Sequence, residues 1–375
     1  MVEEFSLQAA APAEIVLNGQ LQGLPLSLSG QVDDIDQFLA GGEVHFDGML
    51  KAAGTTAAAK GRIFQPLAGK GMDIHVTGKT KSPADLFRAM GLSVNVKGDG
   101  DFAFDISDRD GLIGLRNVTG RMTLAPGIRV EVEGRVDHPM TLSGLALEVR
   151  VAADEVAEIA KLAGQKMPAL GRLDMTGRLI GSAVAPALEK ADGQIRHGAG
   201  AAIDFQGRVK DLLRAEGVNV HVTARTEHFE KMAPILFPSR LPSSSLVPGF
   251  RGRVEVAFAV QDRDGILALN NVKAELLPVR GVEITVSGQV RDAQALLGVA
   301  LDMRLQADDT ARISDLIGAK LPPLSPLEVH GRLVGSAAQP AMVDLALRAG
   351  RPDHVMLTAT GDIAVPLAAC GPDLN

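Results

Sequence analysis

Hydrophobic and polar residues alternate with a period of two through most of the chain. The segment 128–133, IRVEVE, alternates apolar with charged residues, and segments 101–106 and 73–77 follow the same pattern. Strict alternation is typical of a β-strand with one apolar and one polar face. The pattern predicts about twenty-five short strands. Brief turns containing many of the glycines join them, which favours antiparallel meanders over parallel units with long crossover helices.

Short amphipathic helices interrupt the strands about every 75 residues. The segment 82–91, SPADLFRAMG, has a serine suited to an N-cap, a proline in the first turn and a terminal glycine. Further helices are predicted within 33–40 and 218–236, from Asp154 to Gly164 and from Asp308 to Gly318. These helices are acidic rather than basic, so packing on the sheet is favoured over membrane binding.

A long internal repeat organises the chain. Gly144–Ser182 returns without a gap as Gly298–Ser336, and four marker glycines, at 71, 144, 217 and 298, show a weaker half-period. Such repetition indicates a modular array. The predicted segments are a partial leading repeat at 1–97, a first full module at 98–236, a Pro/Ser-rich loop at 237–249, a second module at 250–363 and a tail at 364–375, together forming one continuous elongated structure.

The aliphatic face of each predicted strand must be covered, by a sandwich, a closed barrel or an open gutter that holds something apolar. A closed barrel has a fixed strand number, whereas a repeated module adds strands along one axis. We therefore expect a mainly β protein: an elongated, repeat-built antiparallel sheet curled into an open hydrophobic groove, with short amphipathic helices.

Composition narrows the function classes. The 375 residues are 46% apolar and include 12 Phe but no Trp or Tyr, so the apolar surface is aliphatic, which weighs against a sugar-stacking lectin. A net charge of −7 without a basic block predicts no nucleic-acid partner. The single cysteine excludes an internal disulfide. No apolar run is long enough for a membrane helix, and no export signal is recognisable.

Motifs for chemistry are missing from the sequence. No Walker loop, dinucleotide fingerprint or nucleophile elbow occurs, and the eight histidines lack metal-ligand spacing. The DRDG sequence at 108–111 and 262–265 has two interpretations, the start of a calcium loop or a hairpin turn. Because further oxygen ligands are missing, we predict the hairpin. The protein is thus expected not to be an enzyme, with no catalytic residue, cofactor or metal.

The repeat resembles that of the AsmA-like proteins of Gram-negative bacteria. The pattern combines an alternating strand, an acidic cap with a short helix, and the L-P-x-L and G-R-L-x-G-S sequences followed by a proline. It occupies 144–186 and 298–340, with degenerate forms around 71–115 and 217–260. The resemblance, to AsmA- and TamB-type envelope proteins related to bridge-like lipid transfer proteins, implies a periplasmic β-groove. Such a groove would be tethered to the inner membrane by an N-terminal helix and would carry phospholipid toward the outer membrane. This chain lacks that helix, so we expect a fragment or a misassigned start.

Two hypotheses follow for function. The first is a lipid-handling groove that conducts phospholipid and contributes to outer-membrane biogenesis. The second is an assembly scaffold that engages inner- and outer-membrane envelope proteins without carrying lipid. The residues expected to face acyl chains equally suit an ordinary sandwich core; they are Leu147, Val149, Val256, Phe258, Leu301 and Met303.

Overall fold

The structure is a computed structural model. It describes residues 2–8, 12–21, 24–52, 54–89, 96–108, 112–162, 164, 167–236, 250–317, 320–336, 338–353 and 355–364. The protein is mainly β, with 67% strand and 10% helix, and its antiparallel sheet is not closed into a barrel. This confirms the predicted class. The predicted Pro/Ser-rich loop at 237–249 and nearly all of the tail lie outside the described residues, and the predicted segmentation stays a prediction.

The strands that the structure describes are longer than predicted. Twenty-one are described, and most span nine residues or more. The prediction of short strands follows from placing each glycine at a strand end or in a turn. Gly78, Gly120 and Gly134 instead lie inside strands of eleven or twelve residues. A glycine within a strand therefore marks a site of close packing here, not a turn.

The chain divides into two compact units, and the first comprises Met1–Met167 with Leu173–Lys190. Its strands form an antiparallel meander in which each strand pairs with the next along the chain, from β1 through β11. They are β1 Val2–Gln8, β2 Ala13–Leu21, β3 Leu24–Val32, β4 Val44–Ala52, β5 Thr55–Gln65, β6 Lys70–Thr80, β7 Asp99–Ser107, β8 Gly114–Ala125, β9 Ile128–His138, β10 Ser143–Ala153 and β11 Arg172–Ser182.

The second unit comprises Pro168–Arg172 with Ala191–Asn375, and β12 (Ala185–His197) passes from the first unit to the second. Its strands β13 to β21 again pair in chain order, all antiparallel. They are β13 Ala201–Val209, β14 Asn219–Thr226, β15 Arg253–Arg263, β16 Ile266–Leu277, β17 Val282–Asp292, β18 Leu297–Ala307, β19 Leu327–Ser336, β20 Pro340–Gly350 and β21 Met356–Ala364.

Short helices occupy five of the strand connections. Each of the last four begins at the same distance after one of the marker glycines, which confirms the predicted recurrence. Alternate strands of an antiparallel meander run in the same direction. Within each unit, the last two helices therefore lie at the same edge of the sheet. The helices are α1 Ile35–Leu39, α2 Pro83–Ala89, α3 Val156–Leu162, α4 Phe229–Leu236 and α5 Thr310–Ile317, and a single 3₁₀ turn spans Pro66–Ala68.

The duplication extends to unusual backbone geometry. Asn117 has a φ of 49° and its equivalent in the second copy, Asn271, a φ of 52°; each lies where its strand shifts register. Leu142 and Leu296, in equivalent tight connections, have φ of 45° and 50°. Left-handed conformations are uncommon for residues other than glycine. Their recurrence at one offset shows that bulges and turns were duplicated together with the hydrophobic pattern.

One property of the helices bears on membranes. Within the residues that the structure describes, none of the helices has the length and apolar character needed to cross a bilayer.

Candidate functional site

The apolar face of the second unit's sheet is formed by residues that the strand register places side by side. Val256 of β15, Ala274 of β16, Val286 of β17 and Met303 of β18 are successive register partners and form one row across four strands. Directly opposed residues project to the same face of a sheet. Two of the predicted groove residues, Val256 and Met303, therefore lie on a shared aliphatic face.

The other two candidates in this unit belong to the neighbouring row. Leu301 lies opposite Gly288 on one side and Leu333 on the other, while Phe258 lies opposite Val222. Each is two residues along its strand from a member of the first row, so it projects to the same face. All four candidate side chains of this unit are half-buried.

The remaining candidates, Leu147 and Val149 of β10, lie in the first unit. Leu147 is opposite Gly134 and Leu179, and Val149 is opposite Val132 and Gly177. Both side chains are half-buried on the apolar face of their own sheet. The structure thus places all six candidates on apolar faces, four in one unit and two in the other.

A helix covers one edge of the apolar face in the second unit. Ile313 and Leu316 of α5 are buried against strand ends on either side of the helix and form a small closed core. The amphipathic helix α5 supplies this cover because its apolar side chains recur at helical spacing and so lie on one side. The buried strand residues of this core are Val282, Ala307, Leu327 and Ala349.

The centre of the face is covered less completely than its edges. In β17, Val282 near the helix and Val290 toward the far edge are buried, whereas Ile284 and Val286 between them are half-buried. Leu301 and Met303 of β18 show the same intermediate exposure. A row of large aliphatic side chains that keep part of their surface accessible is the feature that distinguishes this face from an ordinary closed core.

Phenylalanine rings lie directly over glycines on the apolar face, which sequence reasoning missed. A Cβ added to Gly78 would lie 2.2 Å from Cζ of Phe102, its partner on β7. The corresponding distances from an added Cβ to the ring Cζ are 2.3 Å for Gly48 with Phe46 and 2.4 Å for Gly193 with Phe205. Because no side chain fits under these rings, each glycine is required by packing. A glycine at an apolar-face position with a Phe close by, on the same strand or on the next one, is the sequence signal for this arrangement.

The polar face of the first unit's sheet carries cross-strand ion pairs. Lys60 lies 2.7 Å from Asp47, and Arg116 lies 2.5 Å from Asp137. The hydrogen bond from Arg116 lowers the pKa of Asp137 below its ordinary value. Such pairs between exposed groups add little stability, so the polar face is primarily a solvated surface.

The DRDG sequence of the second unit closes a hairpin at the sheet edge opposite α4 and α5. Asp264 and Gly265 have φ of 54° and 82° between β15 and β16, the geometry of a two-residue hairpin with both central residues left-handed. Asp262 accepts hydrogen bonds from the backbone N–H groups of Gly217 and Gly265 at 2.6 and 2.8 Å. The hairpin prediction is confirmed for this copy, while 109–111 of the first copy lie outside the described residues.

Asp108, the equivalent of Asp262, accepts backbone hydrogen bonds from Gly71 and Met72 at 2.7 and 2.9 Å. In both units, an aspartate therefore ties the end of one hairpin to its neighbour. Across the described ranges, no three His, Cys, Asp or Glu side chains are grouped so as to hold a metal ion.

Comparison of the chain with protein-family models, curated proteins and solved structures gives no match.

Proposed function

We propose that this chain is a non-enzymatic module of the bacterial cell envelope, which binds phospholipid acyl chains on its apolar face. The module would conduct them through the periplasm between the inner and outer membranes and so contribute to outer-membrane biogenesis. The resemblance of the repeats to those of AsmA-like proteins suggests the phospholipid and the envelope. The half-buried aliphatic rows suggest where the acyl chains would lie.

The observation that carries the proposal is the partial exposure of large aliphatic side chains in the centre of the face. Val256, Val286 and Met303 belong to one row, and none of them is fully buried. Covering such a row with an acyl chain removes apolar surface from water and gains about 0.8 kcal/mol per buried methylene. The rows cross strand after strand, so a chain bound at one position has equivalent surface beside it. Such continuity suits conduction along the sheet.

The test is lipid retention by the purified protein. The chain is expressed with an export signal, purified in mild detergent and analysed by native mass spectrometry with lipid extraction. We expect reproducible co-purifying phospholipid. Met303→Asp and Val256→Asp, which place a charge in the central row, are expected to reduce it at least severalfold because an unpaired carboxylate is costly in an apolar contact.

A matched control comes from the same strand. Gln306 of β18 is exposed on the polar face, so Gln306→Asp adds the same charge without touching the apolar row. It should retain wild-type lipid. A folded wild-type protein without lipid, or equal losses in Gln306→Asp and Met303→Asp, would contradict the groove. Circular dichroism spectra establish that each variant is folded.

The second candidate is an envelope scaffold that carries no lipid, and one observation favours it. Every residue of β21 is exposed, and among the described residues this strand pairs only with β20. An exposed edge strand offers unpaired backbone groups to a strand of another protein. Lipid-free protein that cross-links to an envelope protein through Thr358→Cys, at this edge, would favour the scaffold over the groove.

A further inference from the structure

A cleft of about 750 Å³ lies at the edge of the first unit's sheet where β2 to β6 turn or end. Three lysines line it, Lys51, Lys79 and Lys81, together with the hydroxyl-bearing residues Ser27 and Thr56. Its volume is within the usual range of small-molecule sites. It is distinct from the central apolar rows described above.

The strand register brings the lysines together. Ser27, Lys51, Thr56 and Lys79 are successive partners on β3, β4, β5 and β6, so Lys51 and Lys79 project to the same face with one strand between them. Their backbones are therefore about 10 Å apart, and two long flexible side chains can approach one group from both sides. Lys81 joins them because its backbone N–H donates to the carbonyl oxygen of Gly54, at the turn between β4 and β5, at 3.0 Å.

These lysines differ from the cations elsewhere on the same face. Lys60 pairs with Asp47 at 2.7 Å, and Arg121 pairs with Glu131 at 3.5 Å. Within the described part of the chain, Lys51, Lys79 and Lys81 form no ion pair, and Asp101, the register partner of Lys79 on β7, forms none with it. The cleft therefore concentrates three uncompensated positive charges in a chain of net charge −7.

Hydroxyl groups on the same face as the lysines are a second feature of the cleft. Thr56 is the register partner of both Lys51 and Lys79, and Ser27 is the partner of Lys51. Directly opposed residues project to the same face of a sheet. The Thr56 and Ser27 hydroxyls can therefore donate hydrogen bonds to a group held between the lysines.

We propose that this cleft binds a phosphate group, carried either by a lipid headgroup or by a soluble phosphate. Three ammonium groups supply charge-assisted hydrogen bonds to phosphate oxygens, and the hydroxyls of Ser27 and Thr56 supply further donors. The site does not depend on the proposed function, because it uses none of the residues of the apolar rows. Loss of acyl-chain binding would leave it intact.

The experiment uses the full chain and measures two ligands. Inorganic phosphate is titrated calorimetrically, and binding is measured to vesicles of phosphatidylcholine with and without phosphatidylglycerol. The test variant combines Lys51→Gln, Lys79→Gln and Lys81→Gln. The control combines Lys210→Gln, Lys231→Gln and Lys273→Gln, which remove the same charge from exposed positions in the second unit. We expect the test variant to weaken phosphate binding at least tenfold and the control less than twofold.

Vesicle binding separates the two sources of phosphate. Anionic vesicles bound by the wild type and lost in the test variant assign the site to a lipid headgroup, whereas binding of inorganic phosphate alone assigns it to a soluble phosphate. Binding of neither ligand, or equal losses in test and control variants, overturns the proposal.

Thr56→Val gives a second readout that a merely structural hydroxyl would not give. Thr56 is exposed, so we expect the loss of its hydroxyl to change the melting temperature little. Phosphate affinity should fall severalfold, because a donor to the phosphate oxygens is lost. Unchanged phosphate affinity would show that the hydroxyl has no part in the site, which contradicts the proposed geometry.

Discussion

The edge and the centre of one apolar face in the second unit are made of the same kinds of residue but differ in how they are covered. At the edge, Ala307 of β18 is buried under Ile313 and Leu316 of α5. Further back along the same strand, Met303 and Leu301 are only half-buried. Aliphatic character alone therefore does not distinguish a closed core from a partly exposed face; at this edge the short helix supplies the cover.

The largest effect is expected at the covered edge. Leu316→Ala removes a side chain that is 5% exposed and leaves a cavity beneath α5. We expect it to lower the free energy of unfolding of the second unit by about 2–4 kcal/mol, in the range for buried leucines. Urea unfolding followed by circular dichroism measures the change.

Leu301→Ala is the matched variant at the centre of the face. The same truncation at a half-buried position removes fewer contacts and leaves no closed cavity, so the cost should be about half as large or less. Equal losses for Leu316→Ala and Leu301→Ala would show that the centre is packed like the edge, and the contrast between the two regions would disappear.

A smaller effect is expected where a ring lies over a glycine. Gly78→Ala places a Cβ 2.2 Å from Phe102 Cζ, so the ring must move and the sheet must adjust around it. We expect a loss of about 1–3 kcal/mol, typical of overpacking. Gly198→Ala is the control, because a Cβ there meets nothing within 4 Å, and it should change stability by less than about 0.5 kcal/mol.

Phe102→Leu should partly rescue Gly78→Ala, since the smaller side chain frees space above residue 78. A double-mutant cycle on thermal or urea unfolding measures this coupling. Strict additivity of the two changes would mean that the ring does not need the glycine.

The sequence pattern predicts where the strands and helices lie better than it predicts which parts of the apolar face they cover. The alternation in segments such as 128–133 identifies the faces of β9, and the half-period of the marker glycines predicts where α2 to α5 begin. These features are local or strictly periodic, so a single chain segment carries the signal. The same alternation is sufficient to assign all six candidate residues to apolar faces.

Features that depend on register between distant segments escaped prediction. Lys51 and Lys79 are far apart in the chain and become neighbours only because β4, β5 and β6 pair with one particular alignment. Gly78 under Phe102 depends on the alignment of β6 with β7 in the same way. A shift of the register by a single position would separate both pairs, and the alignment is set jointly by the apolar faces of both strands and the turn between them, not by either segment alone. The degree of burial of Met303 depends in turn on how its neighbours across several strands fill the face.

At the second unit's hairpin edge, opposite α4 and α5, polar contacts hold the strand ends. Asp262→Asn keeps one acceptor oxygen, so one of the two backbone N–H groups of Gly217 and Gly265 loses its carboxylate partner. We expect a loss of about 1 kcal/mol. Asp264→Asn is the control, because a left-handed residue tolerates asparagine, and urea unfolding should show it within about 0.5 kcal/mol of the wild type.

Added calcium should leave the melting temperature of the wild type unchanged; a rise would revive the interpretation of DRDG as a calcium loop.

The smallest effect is expected on the polar face, at the cross-strand pair of His75 and Asp105. His75 Nδ1 lies 2.6 Å from an Asp105 carboxylate oxygen, and this hydrogen bond, followed by that from Asn117, lowers the pKa of Asp105. A carboxyl whose pKa is lower in the folded chain stabilises it above the unfolded value of about 3.9, and this contribution is lost as the pH falls through the lower folded value.

Asp105→Asn should therefore reduce the free energy of unfolding by only a few tenths of a kcal/mol at pH 5–7, since the His75 and Asp105 side chains are 61% and 30% exposed. The difference from the wild type should diminish as the pH falls below about 3.9. Urea titrations at pH 7, 5 and 3 measure it, and His75→Gln in the same background tests whether the histidine is the cause. A loss as large as that of Leu316→Ala would mean that the polar face also holds the fold together, and burial under the helices would no longer explain where the stability of the sheet resides.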